Sequence, residues 1–229
     1  MKRFVRYSAL ITVALACGAT ARAQTPGTAS TDRGYAEVAA AATLGHKSAS
    51  SFGGEAGYRL LEVNSSLIDE LHIFIEAGRM GNVASADTDA RALIIGNAIG
   101  ASVSTVQVAK YFDAGVKVRL TRLGYGMWRS YLLLGVGAAT VDTSASFAIA
   151  GTDVTGKLGQ YGVQLGNDLS SSLTKTFLTF GVGTNANIGK RLLVDVGYRY
   201  GRILPKTDMI ENDQAINTNR VQVGVGIRF

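Results

Sequence analysis

The chain has 229 residues, of which 47% are hydrophobic and 17% charged, which is ordinary for a folded domain and too polar for a bundle of membrane helices. A basic start (Lys2, Arg3, Arg6), an apolar run over 9–16 and the tripeptide ARA at 21–23 predict a secretory signal cleaved after Ala23. Its removal takes away four basic residues and lowers the formal net charge from +6 to +2. The basic pI is therefore largely a property of the signal, and nucleic acid is not an expected partner.

The only cysteine, Cys17, lies in the predicted signal. The mature chain therefore excludes disulfide scaffolds, thiolate metal sites and cysteine nucleophiles. A lipoprotein signal cut before Cys17 is the alternative, but it fits less well because Ala14 stands where such signals usually have leucine. We expect a signal over 1–23, a polar lead over 24–33 and one folded domain over 34–229.

Eight segments of the domain alternate apolar and polar residues with a period of two, which is typical of β-strands. Each is long enough to cross a membrane as a tilted strand. They lie at residues 35–44, 51–60, 71–81, 111–121, 130–141, 177–187, 191–202 and 219–229. The pattern predicts an all-β fold, an eight-stranded antiparallel up-and-down transmembrane barrel.

The connections between these segments alternate in length, as expected for an outer-membrane barrel with long extracellular loops and short periplasmic turns. One rim carries 86 residues of connection (45–50, 82–110, 142–176 and 203–218), and the other carries 21 (61–70, 122–129 and 188–190). Within 82–110, residues 86–103 predict a short helix, which we expect to pack on the rim as a loop element; a cap or plug of the barrel mouth and a partner-binding element are the alternatives. Asp87 and Asp89 suit its first turn, and its apolar stripe comprises Ala90, Leu93, Ile94, Ala98 and Ala101. The loop 142–176 is rich in Gly, Ser and Thr, and we expect part of it to be mobile.

Charged residues in the strands fall mostly on the face opposite the apolar one, so they should point into the lumen. The candidates for lumen ion pairs are Glu37, Glu55, Arg59, Glu76, Asp113, Lys117, Arg119, Asp195, Arg199 and Arg228, and the same face carries Arg191 and Arg220. Arg79 and Arg202 point outward near the long-loop ends of their strands, where we expect contact with lipid headgroups.

Aromatic residues cluster near the strand ends, as in the two aromatic girdles of outer-membrane barrels. At the short-turn end they are Tyr58, Tyr125, Trp128, Tyr131 and Phe229, and toward the long loops they are Phe112, Phe177, Phe180, Tyr198 and Tyr200.

The sequence predicts no catalytic, cofactor or metal site. The GVG triplets at 135–137, 181–183 and 224–226 lie inside strands and do not complete a nucleotide-binding pattern, so curvature and inward clearance explain them. His46 and His72 lack metal-ligand spacing. Hydrolysis would need a nucleophile beside a base and an orienting acid. His72 and Glu76 share the inward face, but His72 lies at the periplasmic end of its strand, away from surface lipopolysaccharide.

The closing sequence VQVGVGIRF, with DVGYRYGRI at 195–203 and AINTNR at 215–220, resembles the small OmpA/OmpX-type outer-membrane barrel family over essentially the whole mature chain. The resemblance implies that the terminal aromatic, Phe229, is an assembly signal for the barrel-insertion machinery. It also implies residence in the outer membrane beside lipid and lipopolysaccharide.

The expected function is therefore a monomeric outer-membrane barrel with a side-chain-filled lumen and a structural or surface-interaction role, without enzyme activity. A narrow porin-like channel for small solutes is the alternative. A soluble lipocalin-like carrier would show the same alternation, but with the apolar face inside.

Overall fold

The computed structural model describes residues 33–63, 65–121, 127–166, 169–206 and 213–229. The predicted signal and residues 24–32 of the polar lead lie outside this part of the chain. Among the described residues, no helix combines the length and hydropathy needed to cross a membrane.

Eight long antiparallel strands form a closed ring: β1 (Gly34–Leu44), β2 (Ala49–Glu62), β3 (Ile68–Asn82), β4 (Ser102–Leu120), β5 (Trp128–Ile149), β7 (Ser170–Ile188), β8 (Leu192–Ile203) and β9 (Ile216–Arg228). Their order around the ring is β4-β3-β2-β1-β9-β8-β7-β5, and β5 pairs with β4 to close it. A two-residue strand, β6 (Thr152–Asp153), extends β5 as a small hairpin. The predicted eight-stranded antiparallel barrel is confirmed.

The ring closes at a seam between β1 and β9. The two strands pair in unbroken register from Tyr35 opposite Arg228 to Leu44 opposite Asn219. Below that register, the Gly34 N–H donates to the Phe229 carbonyl at 2.9 Å, and the Phe229 N–H donates back at 3.0 Å. The seam leaves neither strand with an unpaired edge in the membrane, where a free backbone group costs several kcal/mol.

The barrel has two unlike ends. The short-turn end carries the connections 63–67, 121–127 and 189–191 together with Gly34 and Phe229, and the long-loop end carries 45–48, 83–101, 150–169 and 204–215. Three strands extend toward the long loops by seven to nine residues more than predicted: β4 begins at Ser102, β5 ends at Ile149 and β7 begins at Ser170. These extensions pair with one another, so sequence that lacks apolar alternation still forms regular sheet. Most of the loop expected to be mobile is therefore strand and helix.

The predicted helix is present as α1 (Ala86–Ile99). Ser85 caps it by accepting a hydrogen bond from the Thr88 N–H, and Gly100 ends it in the left-handed conformation, with φ at 68°. The predicted apolar stripe is wrong for Ala90, Leu93, Ile94 and Ala98, which are exposed, whereas Ala101, just after the helix, is buried as predicted. Ala92 and Gly96 are buried instead, whereas Ile94 is 70% exposed. α1 packs along β4 through the face that carries Ala92 and Gly96, and Ile95 and Ile99 lie partly buried beside them.

A separate apolar cluster lies beneath α1 at the long-loop end. It contains Ala92, Ala101, Ala145, Phe147, Val154, Leu158 and Leu169. A short 3-10 helix (Thr155–Tyr161) contributes Leu158, β5 contributes Ala145 and Phe147, and Ala101, Val154 and Leu169 lie in the adjoining connections. This cluster holds α1 and the second long connection together as an ordered cap.

Apolar side chains cover the outer wall of the barrel, as expected for a lipid-facing surface. Exposed aromatics include Tyr58, Trp128 and Phe229 near the short-turn end and Phe112, Phe180 and Tyr198 further along their strands toward the long loops. Two residues predicted for these girdles, Tyr131 and Phe177, are instead buried inside the barrel. Strand parity explains the error, because both residues share the inward face of their strands with buried neighbours. Tyr125 lies outside the described residues.

Candidate functional site in the barrel lumen

Four carboxyl groups occupy one row across neighbouring strands near the middle of the lumen. Glu37 on β1 lies opposite Glu55 on β2, Glu55 lies opposite Glu76 on β3, and Glu76 lies opposite Asp113 on β4. Like charges directly opposite one another destabilise a sheet. The row therefore requires cations that reach across the lumen from other strands.

Glu55 is the centre of the first cationic network. Its carboxylate accepts hydrogen bonds from the Tyr35 hydroxyl and from Arg199 Nη2 at 3.1 Å, and it pairs with the Lys117 ammonium. Arg199 Nη1 also donates to the Tyr131 hydroxyl at 3.0 Å, which in turn donates to Asp195 Oδ1 at 2.9 Å. The network connects β1, β2, β4, β5 and β8, so it spans the barrel.

Glu76 is the centre of a second network on the long-loop side. Arg220 Nη1 lies 3.0 Å from Glu76 Oε1, and the Tyr111 hydroxyl donates to the same oxygen at 2.6 Å. The Arg220 guanidinium carbon is 4.5 Å from the centre of the Tyr111 ring, which adds a cation–π contact. Arg199 Nε, 3.8 Å from Glu76 Oε2, joins the two networks.

Inward-facing glycines make room for these large side chains. A Cβ at Gly183 would lie 2.4 Å from the Tyr131 hydroxyl, and a Cβ at Gly181 would lie 2.7 Å from Arg199 Cδ. Both contacts are shorter than van der Waals distance. The glycines of the 181–183 triplet therefore provide the inward clearance that the sequence suggested.

An apolar layer fills the lumen on the long-loop side of Glu76. Met80, Phe177 and Ile203 are each 0% exposed, and Tyr111 packs against Phe177 with ring centres 5.4 Å apart. The sequence reasoning missed this layer because it treated the inward face as uniformly polar. Strand parity alone would have placed Met80 and Phe177 there.

A third network surrounds Glu70 at the short-turn end. Arg119 Nη1 donates to Glu70 Oε2 at 2.6 Å, His72 Nε2 lies 2.8 Å from the same oxygen, and Arg59 Nη1 is 3.4 Å from Oε1. Glu70 was missed because the predicted strand began one residue later. The partner of His72 is thus Glu70, while His72 and Glu76 share the inward face of β3, as predicted.

The predicted lumen residues do not all form ion pairs. Among the described residues, neither carboxylate oxygen of Glu37 or Asp113 has a hydrogen-bond partner, and Asp195 has only Tyr131. The predicted ion pairing of Glu37, Asp113 and Asp195 is therefore wrong. The physical reason is competition, because the nearby cations are already engaged by Glu55 and Glu76. Arg220, absent from the predicted pairs, forms one.

The other arginines assigned to the inward or outward face point in the predicted direction, with one exception. Arg228 faces inward and is half-buried at the short-turn end, while Arg79 and Arg202 point outward at the long-loop end. Arg191 was assigned to the inward face but is exposed in the turn between β7 and β8. Within the described chain, no group of three or more His, Asp or Glu side chains is arranged to hold a metal ion.

The family of this chain follows from a family-model match. The model for the outer membrane protein beta-barrel domain matches residues 8–229, and the chain belongs to that family. The protein is accordingly an outer-membrane β-barrel, and in this class the short turns face the periplasm and the long loops face the exterior. A search of curated protein sequences gives no significant match.

Solved structures similar to this chain are also bacterial outer-membrane proteins. Neisserial surface protein A is 18% identical with a TM-score of 0.49, covering 86% of this chain and 96% of its own. Ail, the attachment invasion locus protein of Yersinia pestis, is 18% identical with a TM-score of 0.43, covering 86% and 97%. The outer membrane enzyme PagL is 14% identical with a TM-score of 0.43, covering 83% and 97%.

Proposed function

We propose that this protein is a structural or surface-interaction barrel of the cell envelope, with a lumen closed to solutes and no chemistry of its own. The observation that carries the proposal is the stacked filling of the lumen. The Glu70, Glu55 and Glu76 networks are followed by the apolar layer around Met80 and Phe177 and then by the cap under α1.

The closed lumen is supported by the size and burial of its side chains. Arg199 and Arg220 are the two largest fully buried side chains, and both cross from the β8–β9 side to carboxylates on β2 and β3. An eight-stranded barrel is only wide enough for its interior to be filled by side chains. A hydrated ion would also have to cross the apolar layer, where the apolar side chains offer no polar groups to replace its hydration shell.

Conductance and unfolding, measured on the same preparation, test this function. Folded protein, recognised by its altered gel mobility without boiling, should show no regular channels of porin size in planar bilayers. Arg199→Ala should lower the free energy of unfolding by about 3–5 kcal/mol, since it leaves buried carboxylates uncompensated. The same variant should raise conductance little, because the apolar layer remains. Large, regular conductance steps from the unmutated protein would refute the closed lumen.

A narrow channel for small solutes is the second candidate. It is favoured by the carboxylate oxygens of Glu37 and Asp113, which are buried without hydrogen-bond partners among the described residues. Such groups suit a path that is at times hydrated. Small steps that disappear in the double variant Glu37→Gln, Asp113→Asn would support this candidate.

The proposed partners are the lipid and lipopolysaccharide around the barrel and, during insertion, the assembly machinery. The outward positions of Arg79 and Arg202 at the long-loop end support contact with anionic headgroups. The exposed ring of Phe229 at the short-turn end supports a role in assembly, and we propose that the folded protein is a monomer.

A further inference from the structure

The barrel wall has a gap beside the first hairpin at the long-loop end. β1 ends at Leu44, opposite Asn219 of β9, whereas β9 extends beyond this point to Ile216, paired with β8. A cavity of about 210 Å³ occupies the gap. Its lining includes the inward-facing Thr218 and the outward-facing Asn217, so the cavity lies in the plane of the wall.

Main-chain groups of Asn217 point into this gap. Gly34 and Phe229 exchange both main-chain hydrogen bonds across the seam, and such pairs recur at every second residue of an antiparallel ladder. The unbroken register makes Leu44 and Asn219 the last pair of this kind on β1. Two residues further along β9, the N–H and C=O of Asn217 face the space where β1 has ended. They offer one donor and one acceptor to a molecule in the cavity.

The charged side chains around the cavity are already compensated. Among the described residues that line it, only His46 and Lys47 are ionisable. His46 Nε2 lies 2.9 Å from Asp89 Oδ2, Lys47 Nζ lies 2.8 Å from Asp89 Oδ1, and Lys47 also donates to the Thr105 carbonyl at 2.9 Å. An ion in the cavity would therefore lose hydration without gaining a free counter-charge, so the lining favours a neutral ligand.

The rest of the lining combines an apolar floor with polar groups. Val83 and Ile216 belong to the apolar layer of the lumen, and Ala84 beside them is 2% exposed. Thr218 Oγ1 donates to the Gly201 carbonyl at 3.2 Å and can still accept a hydrogen bond. A hydrocarbon ring would fill the space but leave this hydroxyl and the main-chain groups without partners, which is costly. A ring that carries several hydroxyl groups matches both parts of the lining.

We propose that this cavity is a binding site for one neutral saccharide unit of pyranose size. A cavity of roughly 150 Å³ holds benzene, so about 210 Å³ admits a six-membered ring with hydroxyl groups. The C–H face of the ring packs on Val83 and Ile216. Its hydroxyl groups accept from the Asn217 N–H and donate to the Asn217 carbonyl and to Thr218 Oγ1.

The position of the gap gives the saccharide two sources. Asn217 lies opposite the outward Arg202, at the level proposed above for lipid headgroups, and the long-loop end faces the exterior. The unit therefore belongs either to lipopolysaccharide beside the barrel or to a glycan in the medium. The inference rests on the proposed surface-interaction role and names a ligand class for it.

Nuclear magnetic resonance of the folded, ¹⁵N-labelled protein in phosphatidylcholine nanodiscs tests the site. The probes are the methyl glycosides of glucose, galactose and mannose, titrated separately, with glycerol as an open-chain polyol control. We expect the Asn217 amide and His46 ring signals to shift and saturate with at least one glycoside and to respond much less to glycerol. The ring signals of His72, at the short-turn end, are the internal control and should stay constant.

Variants then localise the effect. Ala84→Leu fills the cavity and should weaken the apparent affinity about tenfold or more. Ala42→Leu makes the same change on the exposed outer wall of β1 and should leave the affinity unchanged. Asn217→Pro removes the N–H that faces the gap and should weaken binding about fivefold, as expected for one hydrogen bond. Gel mobility without boiling establishes folding, and the titration of the unmutated protein remains decisive if a variant does not fold.

A last comparison distinguishes the two sources. An Asn217 shift on adding lipopolysaccharide to the nanodiscs, absent in Ala84→Leu, would identify a membrane saccharide, and a shift only with a free glycoside would identify a soluble one. Either result supports the site. The absence of a saturable shift with every saccharide, an equal response to glycerol, or undiminished affinity in folded Ala84→Leu would overturn it. Shifts with N-acetylglycinamide alone would assign the strand edge to a peptide and also overturn it. None of these failures bears on the closed lumen, which conductance tests separately.

Discussion

At the scale of single residues, the lumen is organised by which inward side chains meet across the barrel. Glu55 and Glu76 obtain cationic partners, whereas Glu37 and Asp113 in the same row do not. Alternation in the sequence assigns a side chain to the inward face, but it contains no information on which inward residues meet across the barrel. The pairing was therefore beyond prediction from sequence, since it depends on register and on side chains that reach from β8 and β9.

The first prediction concerns clearance around Tyr131. Gly183→Ala should destabilise the folded barrel by about 1–3 kcal/mol, because its Cβ would lie 2.4 Å from the buried Tyr131 hydroxyl. Gly224→Ala is the matched control, an inward strand glycine whose Cβ would meet its nearest atom at an ordinary 3.4 Å. Urea unfolding in lipid vesicles measures both. Equal midpoints for the two variants would contradict the proposed clearance.

At the scale of strands and helices, sequence reasoning succeeded where a membrane imposes its pattern and failed where it does not. The ring of eight strands follows from alternating apolar residues such as Val221, Val223 and Val225. The parts of β4, β5 and β7 nearest the long loops lack that alternation, so the sequence predicted these three strands too short. The packed face of α1 was also misassigned, because close approach to β4 favours Ala92 and Gly96 over the larger Leu93 and Ile94.

The lipid face provides the second prediction. Val223→Arg and Val196→Arg should each cost about 2–4 kcal/mol of unfolding free energy if the residues lie near mid-bilayer, because the new charge meets hydrocarbon. Both valines are exposed on the outer wall. Arg79→Gln and Arg202→Gln, outward but at the long-loop end, should change stability much less. Urea titration of all four proteins checks this, and similar losses at every site would mean that the membrane level is misplaced.

The third prediction concerns the attachment of α1. Gly96→Val should loosen the helix from β4, because even a Cβ at this position would lie 2.1 Å from Val103 Cγ2 and 2.9 Å from the Ala101 carbonyl oxygen. Asn97→Val introduces the same side chain on the exposed face and controls for helix propensity. Protease added to intact cells should cleave the connection 83–101 faster only in Gly96→Val. Equal cleavage of both variants would argue against tight packing at Gly96.

At the scale of the whole molecule, the two ends have different compositions and different expected roles. The exterior end is closed by an apolar layer and an ordered cap, and the periplasmic end carries buried cations around His72. A solute that enters from the periplasm therefore meets cationic side chains first and the apolar layer around Met80 and Phe177 afterwards. This arrangement supports the proposed closed lumen.

The fourth prediction concerns Phe229. Its ring packs on Gly34, where a Cβ would lie 2.5 Å from ring atom Cε2, and its backbone completes the seam. Deletion of Phe229 should reduce the amount of folded protein in the outer membrane and leave unfolded chain in the periplasm. Phe229→Trp keeps a terminal aromatic and should restore most of the yield. The gel mobility of unboiled membrane fractions measures the amount of folded protein. A normal amount in the deletion variant would contradict a role for Phe229 in assembly.

The seam between β1 and β9 also fixes the order in which the barrel can be completed. Neighbouring hairpins join residues close in sequence, but the seam joins the first strand to the last, the contact with the greatest loop-closure cost. We therefore expect a late intermediate that has every hairpin and two unpaired strands at an open slit. Cys17 is the only native cysteine. Cysteines introduced at the register partners Ala40 and Val223 could then time the closing of the slit by disulfide trapping, and they should react after pairs placed within any hairpin.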